Sequence, residues 1–332
     1  MKKTFALLTI LLFIYCAENP QQKEVAIQQK AQLIHLKITT LDTHNDIDVK
    51  NFTDSLNYSQ DTDTQVNLPK MQAGALDVSW FIVYTSQSTL DAEGYETAYA
   101  NAIDKFDAIH RLAEDIAPEL IEIAYTSDDV RRIVAADKKV AMIGIENAYP
   151  VGLDMANIKD FQERGGRYMS LAHNGHSQFS DSNTGESDNI WLHNGLSEMG
   201  REAVAEMNKW GIMIDVSHPS KSAIMEMLDL TRAPLIASHS SARAVSEHSR
   251  NLDDEQLLSI KDNGGVVQTV AFSGYLNAEK NAQFNDARNN LIAKVATDLG
   301  VEVLSFSEIG ALTEAEEMVY RHHKYSVGSL MP

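Results

Sequence analysis

Seven strand-length apolar runs recur along the 332-residue chain, at 38–43, 75–84, 140–146, 167–172, 211–217, 234–238 and 265–272. Most are unbroken rather than alternating, the pattern of parallel strands covered on both faces. Helical patterns with legible ends lie between them. Asn157 is expected to cap a helix ending at Gly165-Gly166, and Ser197 one that runs to Trp210 and stops at Gly211. Asp253 or Asp254 starts a third, ending at Gly264-Gly265. This alternation, without an internal repeat or a Pro/Gly-rich linker, predicts one α/β domain. The reading is a (β/α)8 TIM-type barrel with one strand unaccounted for. A doubly wound open sheet competes, but no Gly-rich phosphate loop follows the first run.

An apolar fraction of 44% and a charged fraction of 23% give such a domain a sizeable core. A net charge of −19 argues against nucleic acid, whose phosphates it would repel. Met1-Lys2-Lys3 followed by a short apolar core has the form of an export signal, too short to span a bilayer comfortably. Cys16, the only cysteine, closes that core where a bacterial lipoprotein is cleaved and acylated, although Tyr15 is bulkier than the small residue expected before it. The expected location is therefore outside the cytoplasm, either periplasmic or membrane-anchored through Cys16. One cysteine also excludes an internal disulfide.

In a parallel barrel all strand C-termini meet on one rim. The first run leads into His44 and Asp46, spaced to share a face of an extended segment. The third ends in Glu146, the fourth leads to His173, the fifth through Ile214-Asp215-Val216-Ser217 to His218, and the sixth to His239. Any one of these has an ordinary reading: a hydrogen-bonded histidine, or a carboxylate opening a helix. Together on one rim they suit a two-metal hydrolytic centre, in which a bridging carboxylate holds two ions that lower the pKa of a shared water. The polar stretch 177–189 is a loop by composition and falls on the same rim.

The motifs Asp42-Thr43-His44-Asn45-Asp46, Gly144-Ile145-Glu146-Asn147, Leu171-Ala172-His173-Asn174, Ile214-Asp215-Val216-Ser217-His218, Ser238-His239-Ser240-Ser241 and Arg250-Asn251 stand in one order. With Asn67-Leu68-Pro69-Lys70-Met71, His193-Asn194-Gly195-Leu196-Ser197 and Gly200-Arg201-Glu202, the chain from about 41 to 313 resembles the membrane (renal) dipeptidase family of zinc-dependent barrel hydrolases. The resemblance implies that His44 and Asp46 bind one Zn2+, that His218 and His239 bind the other, and that Glu146 bridges them. It implies that His173 polarises the scissile carbonyl or stabilises its oxyanion, and that Arg250 grips the C-terminal carboxylate of a dipeptide. The reaction it implies is dipeptide hydrolysis through a metal-bridging hydroxide, often tolerating a D-residue at the C-terminal position. A homodimer and a lipid anchor at Cys16 stay open.

The family continues with an Asp-Phe-Asp-Gly-like strand end, whereas here the chain runs on through Ala311-Leu312-Thr313-Glu314 without an Asp-x-Asp. The expected organisation is thus a leader at 1–16, a polar segment at 17–35, an incomplete barrel at 36–313 and an atypical tail at 314–332. Without the last strand and helix, the first and seventh strands would keep unpaired edges. Loss of the Asp-bearing strand would also impair proton transfer. The alternative is a non-catalytic zinc- or peptide-binding remnant of the same fold. A barrel with a carbamylated lysine is disfavoured, since no lysine stands at the end of the fourth run. The pair His322-His323 reads as a solvated tail.

Overall fold

The computed structural model describes residues 20–300. The leader with Cys16, the boundary at 313 and the tail with His322-His323 lie outside the described residues. Eight strands form one sheet: β1 (Leu41–Asp46), β2 (Val78–Tyr84), β3 (Ile121–Ile123), β4 (Lys139–Glu146), β5 (Gly166–Ser170), β6 (Met213–Asp215), β7 (Ile236–Ser240) and β8 (Val266–Thr269). Every pairing is parallel, and the path runs β1-β2-β4-β5-β6-β7-β8. The chain is a nearly closed barrel of alternating strands and helices, with the TIM-type (β/α)8 arrangement. Among the described residues no strand pairing joins β8 back to β1. β1 is instead tied to β7, the last strand but one of the path, by Thr43, whose Oγ1 donates to the Ser238 carbonyl at 2.6 Å.

All seven expected runs form strands. The eighth, β3, was not expected: three residues, Ile-Glu-Ile, are too few to show a period. It pairs beside the start of β4 (Ile121↔Lys139, Ile123↔Ala141), and β5 takes over that edge from Ile143. The first strand starts at Leu41 rather than at 38. Thr40 is tied back beforehand, its N–H donating to Asp77 Oδ2 at 2.9 Å and its hydroxyl to the Ala75 carbonyl at 2.5 Å. Ile38 is accordingly exposed.

The continuous apolar runs occupy the interior as their pattern requires. Six residues of β2 are buried in succession, and Phe81, Ile143, Ile145, Met169, Ile214 and Val216 belong to one core cluster. Outside, Ser197 caps the helix Glu198–Trp210, and Gly211 ends it in a left-handed conformation (φ 74°). Asp253 forms a capping box with Gln256 at the start of the helix Asp254–Asn263. Asn157 does not cap its helix, which spans Ala156–Glu163. The Asp154 carboxylate already takes the Ala156 N–H, so Asn157 lies in the first turn and its amide donates to the Val151 carbonyl.

Candidate metal centre

Glu146 ends β4 at the C-terminal mouth of the barrel with its side chain almost fully buried. Imidazoles from four other strand ends close on its two carboxylate oxygens. The distances are 3.0 Å from His218 Nε2, 3.3 Å from His239 Nε2, 3.5 Å from His44 Nε2 and 3.8 Å from His173 Nε2. The rings pack on one another as well, with centroids 3.8 Å apart for His44 and His239 and 4.2 Å for His173 and His218. Two sets of ligating atoms result, His44–Glu146–His239 and Glu146–His173–His218, each within 4.8 Å. Asp46 stands outside both. Its Oδ2 is 3.9 Å from His44 Nε2, and its side chain is 65% exposed against 12% for His44. A register shift in the β1–β2 pairing between Asp42 and Asn45 breaks strict alternation there.

The electrostatics follow from crowding several bases around one acid in a dry mouth. Burial works against ionisation of Glu146, but hydrogen bonds from His218, His239 and His44 outweigh it and hold the carboxyl well below the usual range. Burial, aided by the Arg250 charge, pushes His218 well below the ordinary imidazole value. His173 and His239 are lowered by burial too. Burial also presses on His44, yet the Glu146 hydrogen bond and charge, with the Asp46 and Asp215 charges, leave it raised. Four imidazoles, three of them pushed toward the neutral form, around an ionised carboxylate are a donor set for a divalent metal such as zinc. His218 Nδ1 is buried without a hydrogen-bond partner among the described residues. The donor set therefore fits a metal, and no apolar or purely structural role explains it as well.

Arg250 is buried beneath the same mouth, not solvated. Its Nη2 lies 3.2 Å from His218 Nε2 and donates to the His239 carbonyl at 3.2 Å, and its guanidinium covers the Tyr275 ring at 5.2 Å. Nε and Nη1 are buried with no hydrogen-bond partner among the described residues. A cavity of 420 Å³ opens beside His44 and Asp46, lined further by Ile47, Asp48, Tyr58 and Gln65. Tyr84 packs its ring 4.7 Å from His173.

The rim segment 177–189 is irregular as its composition implies, apart from one short 3-10 turn at Asn183–Glu186, but much of it is buried. Asp181, fully buried, organises it: the carboxylate accepts N–H groups from Leu192 (2.8 Å), His193 (3.2 Å) and Gly195 (2.9 Å). Ser182 Oγ donates to the His173 carbonyl, so the loop grips the strand end that presents His173.

Several contributors were not singled out by sequence reasoning. Asp215 and Ser238 fell within motifs and were read only as neighbours of His218 and His239. Asp215 is fully buried, and its oxygens accept from Ser217 Oγ (2.7 Å), Ser238 N (2.9 Å) and Ser238 Oγ (2.7 Å). A carboxylate inside the apolar run Ile214-Asp215-Val216 was the available signal, since a buried charge needs partners. Tyr168 gave no such signal.

The model of the membrane dipeptidase family (Peptidase family M19) matches residues 28–308. A dipeptidase of Aspergillus oryzae is 31% identical over 219 residues, 65% of this chain and 51% of that protein. The chain spans about half the length of the Aspergillus, Claviceps and macaque curated relatives it matches. The crystal structure of a probable dipeptidase, PvdM, from Pseudomonas aeruginosa superposes with a TM-score of 0.73 at 25% identity, covering 95% of this chain and 80% of that one. The metallopeptidase described as dipeptidase AC gives a TM-score of 0.61 at 26% identity over 70% and 72% of the two chains.

Proposed function

This chain belongs to the membrane dipeptidase family, and we propose that it is a zinc-dependent dipeptidase acting at the mouth built around Glu146. The observation that carries the reading is the pairing of two unlike features at one place. Four imidazoles face one buried carboxylate, and beside them lies a buried guanidinium with two nitrogens left without partners.

In this reading His44 and Asp46 would hold one zinc ion, His218 and His239 a second, and Glu146 would serve both. Zinc held there supplies polarisation of a carbonyl and activation of a water at neutral pH. Arg250 receives the substrate's C-terminal carboxylate. A fork whose Nε and Nη1 have no other partner suits a planar anion, and burial strengthens the bond by excluding water. His173, kept neutral by burial, has one N–H to offer the scissile carbonyl oxygen as charge develops on it. The cavity beside His44 and Asp46 takes the N-terminal residue of the dipeptide. The leader ending at Cys16 supports a site of action outside the cytoplasm.

The test is turnover of a dipeptide carrying a D-residue at its C-terminal position, by purified chain, before and after chelation and after zinc is restored. Hydrolysis that is lost on chelation and returns with zinc is expected. A zinc-loaded, folded chain that binds the dipeptide without cleaving it would leave a peptide-binding protein in place of an enzyme.

A further inference from the structure

Two hydroxyl groups outside the ligand set each touch the far nitrogen of a ligand-candidate histidine, and each has its own proton committed elsewhere. Tyr168 Oη donates to the Thr43 carbonyl at 2.9 Å and lies 3.2 Å from His44 Nδ1. A carbonyl oxygen can only accept, so the phenol proton is held there, and the phenol oxygen can only accept from His44. Ser238 Oγ lies 2.7 Å from Asp215 Oδ2 and 2.9 Å from His239 Nδ1. Between a buried carboxylate and a neutral imidazole nitrogen, the carboxylate takes the hydroxyl proton, because the charge-assisted bond is about twice as strong. Ser238 Oγ is then an acceptor for His239 Nδ1–H. Asp215 is itself fixed by Ser217 Oγ and Ser238 N, and Ser217 Oγ accepts the backbone N–H of His239 at 3.0 Å.

We propose that Tyr168, and Ser238 backed by Asp215, are positioning residues that hold a proton on Nδ1 of His44 and of His239, so that Nε2, which faces Glu146, is the nitrogen each ring gives to a divalent metal. The two contacts differ in chemistry, a phenol against a carbonyl and a serine against a carboxylate, yet both place the proton on Nδ1 of two rings whose centroids lie 3.8 Å apart at a tilt of 37°. A free imidazole in water favours no such arrangement at both rings at once. Fixing it before the ion arrives removes a rearrangement from binding. The inference rests on the metal-centre reading for its purpose, but not for its geometry.

Two measurements on the full chain test it. Imidazole nitrogen NMR of the metal-free protein, at about pH 8.5 where free imidazole is neutral, is expected to show a proton on Nδ1 of both His44 and His239; a bare Nδ1 on either ring overturns the inference. Competition with a chromophoric chelator is expected to show about 10- to 100-fold weaker zinc affinity for Tyr168→Phe and for Ser238→Ala. A merely structural role would lower Tm in these variants and leave zinc affinity and tautomer populations unchanged, which would also overturn it. If the parent chain binds no zinc, the metal-centre reading fails instead, and the tautomer measurement still decides this one.

Discussion

Gly144 and Tyr168 face each other in register across the β4–β5 pairing, and a Cβ at position 144 would stand 2.2 Å from the Tyr168 ring. The ring cannot move aside. It is fully buried, stacked on Trp80 at 4.9 Å, and held at its far end by the Thr43 carbonyl. The absence of a side chain two residues before Glu146 is therefore what lets a tyrosine reach the back of His44.

Gly144→Ala should consequently do two things. Overpacking of this kind costs about 1–3 kcal/mol, read as a lower denaturation midpoint. Displacing the phenol should also weaken zinc binding. A variant with parental stability and parental zinc affinity would show that the ring has room the geometry denies it.

Asp181→Ala should loosen the rim. Three N–H groups lose a charged acceptor inside the protein, which costs about 3 kcal/mol or more. Limited proteolysis should then cut between 177 and 195, where the parent resists. Uniform resistance along the chain in the variant would count against Asp181 as the organiser of this segment.

Arg250→Lys keeps the charge and removes the fork. The dipeptide KM should rise on the order of 10²-fold, the equivalent of about 2.7 kcal/mol for lost charged hydrogen bonds. Zinc content should stay at the parental level. An unchanged KM would mean that the carboxylate is held elsewhere.

His248 supplies a pH-dependent contribution next to Arg250. Its pKa is lowered by burial and by the charges of Arg250 and Arg243, and its Nδ1 accepts the Arg250 backbone N–H at 3.0 Å. With a folded pKa below the unfolded one, the unfolded chain takes up the proton first. This stability is present above the unfolded value, near 6.5, and is lost as pH falls toward the lowered folded value. Replacing His248 with Gln should flatten the fall in Tm between about pH 7 and pH 5. Parallel profiles for parent and variant would remove His248 from the account.

Much of this was legible in the sequence because it follows from period and position. Continuous apolar runs such as 75–84 announce strands covered on both faces, and such strands in a barrel bring His44, Glu146, His218 and His239 to one mouth whatever their spacing along the chain. Caps were legible where one residue decides them, as at Ser197 and Gly211. Asn157 misled because two candidate acceptors, Asp154 and Asn157, stand within one turn, and only packing chooses between them. The fit of Tyr168 against Gly144 was invisible, since it depends on which residues of two strands come to lie opposite. The burial of Arg250 was hidden for a similar reason: neighbours such as Glu247 advertise a surface, while the tertiary fold draws the guanidinium inward.

The bond from Thr43 to the Ser238 carbonyl has a mechanical implication. Residues 44 and 239 follow directly on its two ends, so two ions, one on each histidine and joined through Glu146, would act as a clasp between the first and seventh strands of an unsewn cylinder. Metal loading would then tighten the whole wall, and ligand concentration would become a dial on how long the chain keeps its shape.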